Sequence, residues 1–330
     1  MKTVISTDRA AAVELLRKGE IVALPTETVY GLAADALTPI AVAKIFEAKE
    51  RPRFDPLIVH LPNREWLEKI ADLPDHDRQL ISKLADKFWP GPFTIVLPKH
   101  GIVPEIVTAG LDTVAVRISA HPVFAEIVQA FEKPLAAPSA NRFGRVSPTT
   151  AQHVLDELNG RFALIIDGGP TDHGLESTIV TVRANSIDIL RQGPITAGQL
   201  SEFAAINIAT SPSRKISAPG QLPSHYAPKT PLYLIDSVDS FFPAKNQRVG
   251  LLAWKSVESQ KRFAAVRRLS EGQDLRQAAA NLFRYLRELD MLGLDVIVAE
   301  RVPSRGLGAA ILDRLERASH GQSVASDTLE

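Results

Sequence analysis

The sequence predicts two α/β domains of unequal size, and three observations carry that prediction. At 330 residues the chain is too long for one ordinary core and suits two domains of roughly 100 to 200 residues each. Apolar runs of strand length alternate with amphipathic stretches of helix length both before and after residue 210, the pattern of α/β folds. Between the two halves, Thr210 to Pro231 holds six prolines or glycines and several serines around A-P-G-Q-L-P-S-H-Y-A-P, a linker composition. The expected division is a first domain over residues 1–205, a linker over 206–231 and a smaller domain over 232–330.

The elements follow in order. Ser6, Thr7 or Asp8 can cap a first helix that turns Ala12, Val13, Leu15 and Leu16 inward and stops at Gly19. Ile21 to Leu24 reads as a short strand, followed by the polar run Pro25, Thr26, Glu27, Thr28, Tyr30 and Gly31. Pro39 opens a second helix that ends at Arg51-Pro52. Pro56 to Leu61, Phe93 to Leu97, Val114 to Ile118 and Ala163 to Ile166 read as strands. Asp77 to Phe88, His121 to Phe131, Thr149 to Leu158 and Ala197 to about Ala204 read as helices. Val180 to Val182 and Ile187 to Leu190 flank Ala184-Asn185-Ser186 as a hairpin. After the linker come strands Leu232 to Ile235, Arg248 to Trp254, Phe263 to Leu269 and Asp295 to Ala299, with helices Asp274 to Met291 and Gly308 to Ser319. That alternation predicts a small parallel sheet; it carries no GxGxxG or Walker loop, so no nucleotide site is assigned to it. The last ten residues are polar and are expected to fray.

Composition narrows the chemistry. Lysine plus arginine balance aspartate plus glutamate at 38 each, so nucleic acid would have to be met by a local patch. The absence of cysteine removes disulfides, thiol nucleophiles and cysteine zinc sites, and fits a reducing compartment. The first twenty residues are amphipathic and unlike a signal peptide, and no run is apolar for long enough to span a membrane.

Several positions invite a functional reading beside a structural one. The stretch Ala23 to Ala36 places two hydroxyls, a carboxylate and a phenol within five residues, enough to orient a small polar molecule, and equally a polar turn leaving a strand. Lys49 and Arg51 end a helix, where cations complement its dipole without any ligand. His60 is a ligand or a satisfied strand-end histidine. Arg117 lies between Val116 and Ile118, where a charge must be paired or meet an anion. Pro138 to Asn141 is a small-residue loop that lets backbone approach a phosphate, with Arg142 and Arg145 nearby.

Together P-T-E-T-V-Y-G-L, K-x-R-P-x-x-x-P-L-I-V-H, W-P-G-P-F-T, V-A-V-R, P-S-A-N-x-x-G-x-x-S-P-T, E-S-T-I-V and R-x-G run in order from Pro25 to Gly193. In these motifs the chain resembles the threonylcarbamoyl-AMP synthases of the YrdC type, in the longer form with a C-terminal domain. The resemblance implies a twisted mixed-sheet N-terminal domain and a Rossmann-like parallel C-terminal one. It implies an enzyme that joins L-threonine, bicarbonate and ATP, with Mg2+, into threonylcarbamoyl-AMP and pyrophosphate in the cytoplasm. The product would pass to a separate transferase complex that modifies tRNAs reading ANN codons, with at most a weak contact to tRNA as double-stranded RNA.

Carried over by position, threonine falls to Thr28, His60, Arg117, Ser177 and the backbone near Ala137. ATP falls to Lys49, Arg51, Asp55, Thr113, Ser139, Asn141, Ser147 and Arg191, with Tyr226 as a lid. No residue is assigned as covalent nucleophile, and no protein ligand to the metal. Asp55, Glu50 and Ala137 stand where many relatives have asparagine, glycine and threonine. Two rivals bear on this expectation. A hydrogenase-maturation carbamoylating enzyme carries zinc fingers that a chain without cysteine cannot build, and an RNA binder would leave Thr28, Arg117 and Ser177 without a role.

Overall fold

The computed structural model describes residues 2–208, 218–222, 225–255 and 260–319. These fall into two compact units. The first holds residues up to 143 with 147–172 and 176–221, and the second holds 144–146, 173–175 and the chain from 222 onward.

The first unit is built on β1 (Val4–Ser6), α1 (Arg9–Arg17), β2 (Val22–Leu24), β3 (Gly31–Asp35), α2 (Pro39–Lys49) and β4 (Ile58–His60). It continues through α3 (Leu67–Ile70), α4 (Arg78–Phe88), β5 (Phe93–Pro98), α5 (Glu105–Thr108), β6 (Thr113–Arg117), α6 (Pro122–Phe131) and β7 (Leu135–Ala136). It closes with α7 (Ala151–Leu158), β8 (Leu164–Ile166), β9 (Thr178–Arg183), β10 (Ser186–Arg191), α8 (Ala197–Leu200) and β11 (Ala205–Ile208). Local chemistry explains the helix ends. Asp8 caps α1 by accepting from the Ala11 amide, Pro39 starts α2, and Glu50 ends it in the left-handed region at φ 54. That backbone angle favours glycine, so the glutamate here sits in a conformation that side chains seldom adopt.

Among the described residues the strands form one mixed sheet in the order β1-β8-β2-β3-β7-β4-β6-β5-β9-β10-β11. Alternation along the strands decides what each face carries. Ala23, Leu32, Val59, Val116, Ile95 and Val180 point into the larger core, which α2, α4 and α7 complete through Val42, Ile45, Leu84 and Val154. The opposite face is covered over β2, β3, β7 and β8 by α1 and α6 through Leu16, Phe124 and Ile127. Over β4, β6, β5 and β9 that same face carries a small apolar strip, Ile58, Ala115, Val96 and Ile179, with Ala218 against it.

The second unit contains β12 (Leu232–Ile235), β13 (Val249–Ala253), β14 (Ala265–Arg268), α9 (Leu275–Asp290), β15 (Val296–Glu300) and α10 (Leu307–Ala318). Its four strands are parallel throughout, in the order β12-β15-β13-β14. The parallel sheet is therefore as the alternation predicts. Asp274 caps α9 by accepting from the amides of Arg276 and Gln277, and the buried Glu300 carboxylate accepts from the amides of Trp254 and Lys255 at the strand ends.

The differences from the sequence reading are local. Gly31–Asp35 is a buried strand paired with β2 and β7, although its glycine, alanines and aspartate lack a strand's usual composition. The helix expected to about Ala204 starts at a Thr196–Gln199 capping box but stops at Leu200, and the chain then pairs alongside β10 as β11. Of the linker, residues 209–217 and 223–224 lie outside the described residues, as does the polar tail from 320.

Candidate active site

The site is set by register on one sheet face. In β4 and β6, His60 pairs with Arg117 and Ile58 with Ala115. In β5 and β6, Ile95 pairs with Val116, which puts Thr94 beside Arg117. Thr94 is in turn aligned with Ile179 of β9, and Ile179 with Arg191 of β10. Because residues in register point to the same face, His60, Arg117, Thr94 and Arg191 share the face of the Ile58–Ala115–Val96–Ile179 strip. Thr113 lies on it too, at the far end of β6, about 13 Å from Arg117 at the rise of a strand.

Arg117 lies at the C-terminal end of its strand and is 3 % exposed. Its Nη2 donates to Glu27 Oε1 at 2.5 Å, its Nη1 donates to the Thr28 hydroxyl at 3.2 Å, and its Nε is buried without a partner. Ser119 donates to the other Glu27 oxygen at 2.5 Å. Burial pushes the Glu27 carboxyl up, but the Arg117 cation and the Ser119 hydroxyl outweigh it and bring it down to about 2. Thr28 is held in turn by a turn around Thr26, whose hydroxyl accepts from the Thr28 amide and donates to the Val29 carbonyl.

His60, against the Phe124 ring at 4.7 Å, is driven down to about 3 by burial and by the neighbouring Arg117 cation. Its imidazole is neutral at physiological pH. Since 3 lies below the ordinary 6.5, the unfolded chain protonates first, so the stability tied to His60 is complete above pH 6.5 and is lost as pH falls toward 3. A His60→Gln variant is expected to lose thermal stability less steeply than the parent between pH 6.5 and 5; parallel curves would contradict the assignment.

A second cluster surrounds Ser177. Its hydroxyl lies 2.7 Å from that of Thr94 and accepts from Arg191 Nη2 at 3.0 Å, while Arg191 Nε donates to the Ser177 carbonyl at 3.0 Å. The loop passes so close to Gly193 that a Cβ there would fall 2.5 Å from the Thr178 nitrogen and 2.6 Å from the Glu176 oxygen. Ser147 donates to Glu176 at 2.5 Å.

The third cluster is cationic. Lys49 is buried, and its ammonium donates to the carbonyls of Ser139 and Asn141 at 2.5 Å each, pinning the small-residue loop. Burial, with the Arg51 cation beside it, drives Lys49 well below its ordinary 10.5. Arg51 donates to the carbonyls of Asp55 and Pro56 and lies 2.9 Å from Asp55 Oδ2 as an ion pair. Burial raises the Asp55 carboxyl, with Arg51, Lys49 and Arg191 all pulling it the other way, so three cations act on this one carboxylate.

Thr28, His60, Arg117 and Ser177 thus lie at neighbouring strand ends, with Ala137 continuing the same face beyond β7. Lys49, Arg51, Asp55, Ser139 and Asn141 gather in the cationic cluster, whereas Thr113 stands apart at the other end of β6. Tyr226 belongs to the second unit, at φ 63, buried with its ring stacked on Phe283 at 5.5 Å and Arg314 over it at 5.2 Å. Sequence reasoning left out Glu27, Ser119, Thr94 and Glu176 as partners of site residues. Three of the four lie inside the quoted motifs, but each holds a residue 29 to 90 positions away, so the pairings themselves could not be read; Ser119 carried no signal of its own.

Residues 14–193 match the Sua5/YciO/YrdC family, described as "Telomere recombination", and residues 195–320 match the "Threonylcarbamoyl-AMP synthase, C-terminal domain" family. The threonylcarbamoyl-AMP synthase of Pyrococcus abyssi is 39% identical over 324 residues, covering 93% of each chain. That of Bacillus subtilis is 38% identical, covering 96% of this chain and 94% of its own. The crystal structure of P. abyssi Sua5 complexed with L-threonine superposes with a TM-score of 0.85 at 37% identity, covering 96% of this chain and 97% of that one.

Proposed function

The chain belongs to the threonylcarbamoyl-AMP synthases, enzymes of the nucleotidyltransferase type, and we propose that it makes threonylcarbamoyl-AMP on the sheet face that carries His60, Arg117, Ser177 and Arg191. The observation that carries this reading is the register of β4, β6, β5, β9 and β10, which brings residues distant in sequence onto one face.

L-Threonine lies at the strand ends, among Thr28, His60, Arg117, Ser177 and the backbone at Ala137. Its carboxylate meets Arg117, whose Nε is buried and unpartnered. ATP takes the cationic side, with Lys49, Arg51, Asp55, Ser139, Asn141, Ser147 and Arg191, and reaches along the apolar strip toward Thr113. Magnesium arrives on the phosphates as part of the substrate.

Three anionic reactants must approach one another, so the net positive charge around Asp55 lowers their repulsion. The threonine amine, as the free base, attacks bicarbonate to give the carbamate and water. A carbamate oxygen then attacks the α-phosphorus in line, and pyrophosphate leaves. The protein supplies position and charge rather than a nucleophile. Among the described residues no helix is long and apolar enough to cross a membrane, and we place the enzyme in the cytoplasm with its ATP and the transferase that consumes the product. Incubation with 13C-bicarbonate, L-threonine and Mg-ATP is expected to give a labelled threonine–AMP adduct by mass spectrometry; adenylate without the label would overturn the proposal.

A further inference from the structure

The Arg117 guanidinium is the cation assigned to the threonine carboxylate, yet it is already matched by a buried carboxylate one residue before Thr28. The guanidinium is tied at two of its three nitrogens. Glu27 holds Nη2, Thr28 holds Nη1, and Nε is left buried and without a partner. Glu27 is itself fixed from behind by Ser119, which also accepts from the His121 amide at the start of α6. The chain Ser119–Glu27–Arg117 runs from a helix start to the strand end, and each link is nine-tenths or more buried.

We propose that Glu27, backed by Ser119, is the positioning residue of the amino-acid subsite: it locks the Arg117 guanidinium in one rotamer and one plane so that the Nε edge faces the substrate carboxylate. Arginine recognises carboxylates through a rigid planar fork, so its orientation matters as much as its charge. The ionised Glu27 also keeps the subsite close to neutral, which suits an amino acid that carries both an ammonium and a carboxylate better than it suits a plain anion. The inference rests on the threonine reading of this pocket.

The test compares Ser119→Ala, Glu27→Gln and the parent in pyrophosphate release, with L-threonine and ATP varied separately. Ser119→Ala leaves the Arg117–Glu27 pair in place and removes only its backing, so it serves even where Glu27→Gln folds poorly. The expected result is a KM for L-threonine raised roughly three- to tenfold in Ser119→Ala and at least as much in Glu27→Gln, with kcat and the KM for ATP within twofold of the parent. Glu27→Asp, which restores charge at a shorter reach, should recover part of the loss. A fall in melting temperature with unchanged KM for threonine, or equal rises in both KM values, would overturn the inference. Threonine-independent release by the parent itself would instead sink the reading of the pocket, and so separates the two failures.

Discussion

Arg117→Ala is expected to abolish threonine-dependent pyrophosphate release and, at the same time, to destabilise the first unit by about 3–5 kcal/mol. The two effects share a cause. Glu27 is 4 % exposed, and without Arg117 its carboxylate would be a buried charge with no cation against it, held by Ser119 and the backbone of Glu27 and Ala120 alone. Stability and function come apart in the double variant Arg117→Met with Glu27→Gln. It removes both charges together, so most of the stability should return while threonine-dependent turnover stays absent. ATP binding should persist in the double variant, since Lys49, Arg51 and Arg191 remain. Denaturant unfolding and nucleotide titration of both variants check this; a double variant that regained threonine dependence would remove Arg117 from the subsite.

Gly193→Ala should be nearly as damaging, by another route. The new methyl would stand 2.5 Å from the Thr178 nitrogen and 2.6 Å from the Glu176 oxygen, both backbone atoms that no side-chain rotation can move aside. Either the Glu176–Thr178 segment or the Arg191–Gly193 segment must shift, and these carry Ser177 and Arg191, joined by two hydrogen bonds. Overpacking of this kind costs about 1–3 kcal/mol, and a displacement near 1 Å in a positioned site costs about 100-fold in rate. The expected outcome is a folded protein with a melting temperature lowered by several degrees, a raised KM for ATP and a large loss of kcat. Parent-like kinetics would show that the loop tolerates movement and that its close packing does not serve the reaction.

The sequence makes the parallel sheet of the second unit legible because its strands are bounded by clear turns and its helices carry strong amphipathic faces. It makes Arg117 stand out because a charge within an apolar strand needs a reason. β3 was hidden by its composition: Gly31 is there for close approach, since a Cβ would lie 3.2 Å from that of Ala137, and the following alanines leave room for packing. The partner of Arg117 was not legible either, because the Glu27 pairing spans 90 residues and depends on where a polar turn delivers its carboxylate. Asp55 illustrates the same limit. As a lone acid beside phosphates it looks misplaced, but in the fold it is ion-paired to Arg51 four residues earlier and lies within reach of Lys49 and Arg191.

The central claim is that this sheet face joins threonine, bicarbonate and ATP, and pyrophosphate release by the intact chain tests it most directly. With Mg-ATP present, L-threonine and bicarbonate are omitted singly and then together. Release that appears only when both are supplied, and that vanishes with Arg117→Ala, is the predicted result. Release indifferent to either substrate, or none under any condition, would contradict the account.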